Sequence, residues 1–260
     1  VRFPDTLKSP LDIFLANDGT VILAGTLILA LVILLLRSLS PGAVKYKETR
    51  RLQEVLAHRQ MAKYLALRLL PACPATPKAL VLARAASSDD PILQAQLEGL
   101  REGFGDQVEI IATQILVPEN REDQQELAMT QELQLTNRQI DDLLRKNPTC
   151  NVLVSLAGVP GNFIESAAAA SVRARSKAVA VYSDNVYLLG PALAEGGGNR
   201  ASINALAMPR HLLNYDDSLD EPLSDDLEQA FNQRFIYVDK GNLLEIAQQH
   251  KRIFLRNKAL

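Results

Sequence analysis

The chain has 260 residues, more than one average domain needs and few for two, with 28 Lys and Arg against 30 Asp and Glu and no tryptophan. Aromatic residues make up only 5%, which argues against a carbohydrate-stacking surface or an aromatic nucleic-acid platform. Charge is uneven: residues 1–74 hold ten Lys/Arg and five Asp/Glu, whereas residues 75–260 hold 18 and 25, an acidic portion without the basic stripe that nucleic acid requires.

Residues 1–19 form an N-terminal segment with Pro4, Pro10 and the apolar cluster LDIFLA. It reads either as a stretch lying on a membrane or partner, or as a poorly ordered terminus. Residues 20–36 read TVILAGTLILALVILLL, seventeen residues without a charge. At 1.5 Å per residue that is the lower limit for crossing a bilayer core of roughly 30 Å. A buried core helix is seldom apolar all round. A cleaved signal would have a short basic start and a small-residue cleavage site, whereas nineteen mixed residues precede this run and Arg37 follows it. The expectation is an uncleaved single-pass anchor.

Residues 37–77 read as a juxtamembrane helix and linker. SLSPG at 38–42 signals a turn, and residues 46–70 carry helical spacing, with Leu52, Val55, Leu56, Met61, Leu65 and Leu69 roughly on one face. That helix could lie on the membrane, pair with another helix, or pack on its own domain. PACPATP at 71–77 ends it.

Residues 78–260 form the soluble domain. Strands are expected at 79–83 (ALVLA), 108–116 (VEIIATQIL), 151–158 (NVLVSLAG), 178–183 (AVAVYS), 203–209 (INALAMP) and 235–238 (FIYV). Helices are expected at 91–105, 136–147, 162–175, 224–235 and 242–254. The first has proline in its opening turn and glycine at its end; Thr136 caps the second, and Ser224 and Asp225 cap the fourth. Near-continuous apolar strands separated by helices indicate an α/β fold with a doubly wound parallel sheet of five or six strands, the first and third adjacent.

The sequences ILQAQLEGLREGFG, TNRQIDDLLRKNPTCNVLVSLAG and NFIESAAAASVRARSKAVAVYSDN together resemble the type I periplasmic binding proteins, the sugar-binding group, and their regulator relatives. The match is one of pattern over about residues 78–185. It implies a single lobe of that family, whose edge at the strand ends contacts a small ligand.

Ligands of open parallel sheets bind beyond the carboxyl ends of the strands. That rule selects the loops at 86–91 (ASSDDP), 158–162 (GVPGN), 183–185 (SDN) and 195–200 (EGGGNR). Asp89, Asp90, Asn162, Asp184 and Asn185 are the candidate ligand- or partner-binding residues, although the same residue types also cap helices and shape turns. Gly158 and Gly161 lack the third glycine of a dinucleotide fingerprint and the Gly-Lys-Ser/Thr of a phosphate loop. No nucleophile elbow occurs, and His211 near Asp216 and Asp217 is a weak acid/base signal, so no catalytic residue and no enzyme activity is expected.

His58, His211 and His250 are scattered, and neither cysteine sits in a Cys-x-x-Cys pair, so no metal and no cofactor is expected. Cys73 precedes the first strand and Cys150 the third, which leaves open a disulfide or two free thiols.

The function expected is that of a membrane-anchored accessory or scaffold subunit, using the binding-protein-like lobe as an interaction module. The alternative is a small-molecule, sugar-like binding or sensing component. Partners on this reading are the lipid bilayer, other membrane protein subunits and a second copy of the chain, with no nucleic acid and the small-molecule ligand left open. Arg37, Lys45, Lys47, Arg50 and Arg51 after the apolar run favour a cytoplasmic domain. The resemblance favours an extracytoplasmic, periplasmic one, which is the reading adopted.

Overall fold

The computed structural model describes residues 27–28, 30–31, 41–84, 87–116, 135–160, 163, 178–183, 203–210, 221–239 and 241–249. It divides the chain into two units, residues 1–52 and residues 53–260.

Most of the expected anchor at 20–36 lies outside the described residues. Leu27, Ile28, Ala30 and Leu31 within it are helical and exposed. Among the described residues no helix is long and apolar enough to cross a membrane.

Helix α1 spans Pro41–Leu69. It begins inside the stretch read as a turn signal, because proline is tolerated in a first helical turn, where its missing N–H would have no partner anyway. The described remainder is β1 (Lys78–Arg84), α2 (Pro91–Phe104), β2 (Glu109–Leu116), α3 (Asn137–Lys146), β3 (Val152–Ser155), β4 (Ala178–Tyr182), β5 (Ala205–Pro209), α4 (Leu227–Arg234), β6 (Phe235–Val238) and α5 (Leu243–Gln249).

Caps explain the helix boundaries. Asp90 accepts from the Ile92 and Leu93 amides at 2.8 and 3.4 Å and starts α2. Gly105 ends it at φ 51°, a left-handed conformation that costs a residue with Cβ. Thr136 and Gln139 form a reciprocal capping box on α3. For α4 the cap is Asp226, which accepts from the Gln229 amide at 2.8 Å. Ser224 instead accepts from the Asp226 amide at 3.2 Å, so the helix starts later than the 224–225 pair indicated.

The six strands form one sheet in the order β2-β1-β3-β4-β5-β6. β1 pairs parallel with both β2 and β3, and the parallel pairing continues through β4 to β5. β6 departs from the all-parallel expectation and runs antiparallel to β5, with Phe235 opposite Pro209. The chain passes from α4 straight into β6, so β6 enters the sheet beside the carboxyl end of β5 and runs back along it. An antiparallel edge strand on a parallel sheet is a common arrangement.

Side-chain alternation sends the two faces to different cores. Ala79, Val81 and Ala83 of β1 join Met61, Leu65 and Leu69 of α1, Leu97 and Phe104 of α2, and Phe231 of α4. Leu80 and Leu82 join Ile140 and Leu144 of α3, Leu206 of β5 and Leu243 of α5. Helices therefore cover both faces, as doubly wound sheets require.

Of the three settings open to the 46–70 helix, packing on its own domain holds from residue 57 onward, where Ala57, Met61, Ala62, Tyr64, Leu65, Ala66 and Leu69 are all buried. The expected single face is divided. Leu56 is 41% exposed while Leu65 is fully buried, since nine residues at about 100° each place them half a turn apart. Gly99 and Gly103 let α2 approach α1 closely. A Cβ on either would collide with the Arg59 or Lys63 carbonyl oxygen. Glu102 then bridges the same two residues, accepting from Arg59 Nε at 2.9 Å and lying 3.2 Å from Lys63 Nζ.

The cysteines are free thiols. Cys73 packs against the α1 side of the sheet and Cys150 lies in the α3 side, so the sheet separates them. Burial pushes the Cys73 thiol up to about 11.

Candidate functional site

The strand order fixes where a ligand can enter. From β1 the chain goes outward to β2 and then returns to the other side of β1 as β3. The loops leaving β1 and β3 therefore diverge, and a crevice opens at their carboxyl ends. A cavity of about 250 Å³ lies at this point.

Its walls come from five places. Arg84 ends β1, and Asp90, Ile92 and Gln96 belong to the start of α2. Leu156, Ala157 and Gly158 follow β3, and Tyr182 ends β4. His58 reaches in from α1, an element outside the alternating strand–helix series.

The floor is held by the turn after β3. Gly158 has φ 75°, and its amide donates to the Tyr182 carbonyl at 3.0 Å. Its own carbonyl accepts from the fully buried Ser155 hydroxyl. The Leu156 amide donates to the Leu82 carbonyl at 2.7 Å. The glycine that sequence reading weighed as a phosphate loop thus works as a left-handed turn that ties β3 to β4.

Of the five sequence-predicted residues, Asp90 lines the cavity and caps α2 at once. Asp89 is exposed, with its carboxylate accepting from the Ser88 hydroxyl at 3.3 Å, and is not part of the lining. Asn162, Asp184 and Asn185 lie outside the described residues, as do His211, Asp216, Asp217 and the 195–200 loop.

Sequence reading missed His58, Arg84, Gln96 and Tyr182. For His58 a signal existed: it precedes Met61 by three and Leu65 by seven, on the face that α1 buries. Its ring packs edge-on against Tyr182 at 5.6 Å and Phe235 at 5.7 Å. Burial pushes the imidazole down to about 4, partly offset by the nearby Asp90 carboxylate. His58 is therefore neutral at physiological pH. Gln96 is 4% exposed, and its amide nitrogen lies 3.2 Å from His58 Nδ1.

The arrangement suits binding. It brings, among the described residues, one guanidinium, one carboxylate, a neutral imidazole, an amide and a phenol around a small space. Among the described residues no group of three or more His, Cys, Asp or Glu is placed to hold a metal ion.

No protein-family model matches the sequence, and no curated protein matches it. Solved structures do resemble it. A periplasmic solute-binding protein from Actinobacillus succinogenes 130z with bound D-allose is 15% identical, with 73% of this chain and 62% of that one covered and a TM-score of 0.45. A periplasmic ribose transporter protein from Conexibacter woesei is 10% identical, with 74% and 60% covered and a TM-score of 0.43. A LacI-type transcriptional regulator from Bacteroides fragilis is 10% identical, with 72% and 61% covered and a TM-score of 0.41. The chain thus spans less than two thirds of each of these proteins.

Proposed function

We propose that this chain is a ligand-binding or sensing component whose crevice at the β1–β3 junction holds one small, neutral, polar molecule. The observation that carries the reading is the lining of that cavity: opposite charges from Arg84 and Asp90, with the neutral donors and acceptors of His58, Gln96 and Tyr182 beside them. Opposite fixed charges favour a ligand without net charge that offers both donors and acceptors, such as a polyol. About 250 Å³ equals roughly eight water volumes, enough for one small metabolite. The domain binds and does no chemistry on its ligand.

Monosaccharides are the first probes, because D-allose and ribose figure in the names of similar structures. Ligand-dependent thermal unfolding of the full chain is the test. A ligand at a hundred times its Kd stabilises by about 2.7 kcal/mol. Stabilisation by D-ribose or D-allose that Arg84→Gln abolishes supports the reading. A flat response to the monosaccharide panel and to other neutral polyols rejects it.

On this proposal residues 20–36 anchor the domain to a bilayer, with the domain on the extracytoplasmic side. The support for the span is the uninterrupted apolar run; the side follows the resemblance to periplasmic binding proteins, since Arg37 and the basic residues after it favour the cytoplasm. Release of intact protein by alkaline carbonate would sink the anchor. Labelling of surface-placed cysteines by an impermeant thiol reagent only after lysis would put the domain in the cytoplasm. A second reading, an accessory or scaffold subunit, is favoured by Leu56 and Leu67, each 41% exposed on the side of α1 away from the sheet. Co-purification of other membrane subunits, lost on Leu56→Glu and Leu67→Glu, with no polyol response, would favour it.

A further inference from the structure

The proposed crevice has one wall that the alternating strand–helix series does not supply. His58 comes from α1, ahead of β1, and stands among Arg84 of β1, Asp90 of the loop before α2, Gln96 of α2 and Tyr182 of β4. Its ring packs against Tyr182 and Phe235, with the planes inclined at 88° and 64°. Its Nδ1 faces the side-chain amide nitrogen of Gln96 at 3.2 Å. An amide nitrogen donates and does not accept, so Nδ1 must be the unprotonated atom. The ring proton is then on Nε2, the only polar atom of this cavity-lining ring not engaged by Gln96.

We infer that Gln96 locks His58 as the Nε2–H tautomer, and that this N–H is the hydrogen-bond donor by which α1 selects ligands carrying an acceptor in the crevice. The inference rests on the proposed binding function for its ligand, but the tautomer stands or falls by itself. Gln96 is a positioning residue here, and His58 is the specificity-determining one. Protonation would convert the donor into a cation beside Arg84 and Asp90 and would break the bond from Gln96, since both groups would then be donors. Ligand selection through His58 therefore belongs to the neutral form, which persists down to acidic pH because the ring is buried.

Histidine-selective ¹⁵N NMR of the full chain tests this, with His58 assigned by its absence in His58→Gln among only three histidines. In the native chain between pH 5.5 and 8, Nε2 should be protonated and Nδ1 not. Gln96→Leu should give a mixture of tautomers. Gln96→Glu should move the proton to Nδ1 and raise the midpoint of titration above the ordinary 6.5. A purely structural Gln96 would leave the tautomer unmoved. An Nδ1–H tautomer in the native chain, or the same tautomer after Gln96→Leu, overturns the assignment, even if sugars bind.

With D-ribose as the probe, His58→Phe should weaken binding about tenfold, and His58→Gln, which keeps a donor, should lose less. Equal affinity in native and His58→Phe chains overturns the selective role. Failure of the native chain to bind any neutral polyol overturns the proposed function instead, while the tautomer reading still decides the lock.

Discussion

The two ends of the parallel sheet use the same kinds of side chain for different purposes. At the amino edge, polar groups are consumed by neighbouring backbone. Asn151 accepts from the Lys78 amide at 2.6 Å and donates to the Thr76 carbonyl at 2.9 Å, binding the entries to β1 and β3 together. Asn204 accepts from the Val179 amide at 2.8 Å and does the same for β4 and β5. At the carboxyl edge, Arg84, Gln96 and His58 surround a cavity, and Asp90 lines it as well as capping α2. A strand-end asparagine or aspartate thus acquires its role from which edge it occupies, because only at the carboxyl edge do the connecting loops diverge and leave space.

The largest effect expected concerns what holds α1, and so His58, against the domain. Gly99→Val would drive a branched side chain into the Arg59 carbonyl. We expect a loss of about 3 kcal/mol or more in chemical denaturation, with ligand response lost as well. A variant with near-native stability would show that α1 can shift without cost, and that the carboxyl edge does not depend on it.

Acidification separates the edges next. His58 has a folded pKa of about 4 against 6.5 unfolded, so the unfolded chain binds the proton first. Its contribution is fully present above pH 6.5 and is lost as pH falls toward 4, about 3 kcal/mol in all. His58→Phe should flatten that part of the stability–pH curve. Curves of identical slope between pH 6.5 and 4 would remove His58 as the cause.

Asn151→Ala should cost about 2 kcal/mol, since it strips partners from two backbone groups at the amino edge. Polyol response, scaled to the same fraction folded, should be unchanged. A specific loss of binding would mean that the edges are not separable. The smallest stability change is expected for Asp90→Ser, which keeps a capping oxygen and removes the carboxylate, within about 0.5 kcal/mol by thermal unfolding. Binding should nevertheless fall. Unaltered binding would leave Asp90 as a helix cap and nothing more.

Much of the domain could be read locally. The apolar runs at residues 79–83, 178–183 and 235–238 are strands to within a residue at each end; β1 and β4, inside the sheet, need apolar side chains on both faces, and β6 at the edge buries Phe235 and Val238. Proline at 91, glycine at 105 and threonine at 136 marked helix ends for reasons internal to each helix. The parallel adjacency of β1 and β3 followed from the alternation of elements. Asp90 was found by the rule that ligands gather at carboxyl strand ends.

What the sequence determined by itself is whatever depends on neighbours a few residues apart: the strands, and the ends of α2 and α3. Only the tertiary structure decided the direction of β6, the placing of Cys73 and Cys150 on opposite sides of the sheet, and the meeting of His58 with Gln96 and Tyr182. Those outcomes join residues 26 or more positions apart, 235 − 209 for the start of β6 and 96 − 58 for His58 and Gln96. Periodicity cannot register them, because each residue's local pattern is the same whether or not the distant partner arrives. The packing of α1 across the sheet, permitted by two glycines on α2, is what turns a buried-face histidine into the wall of a site.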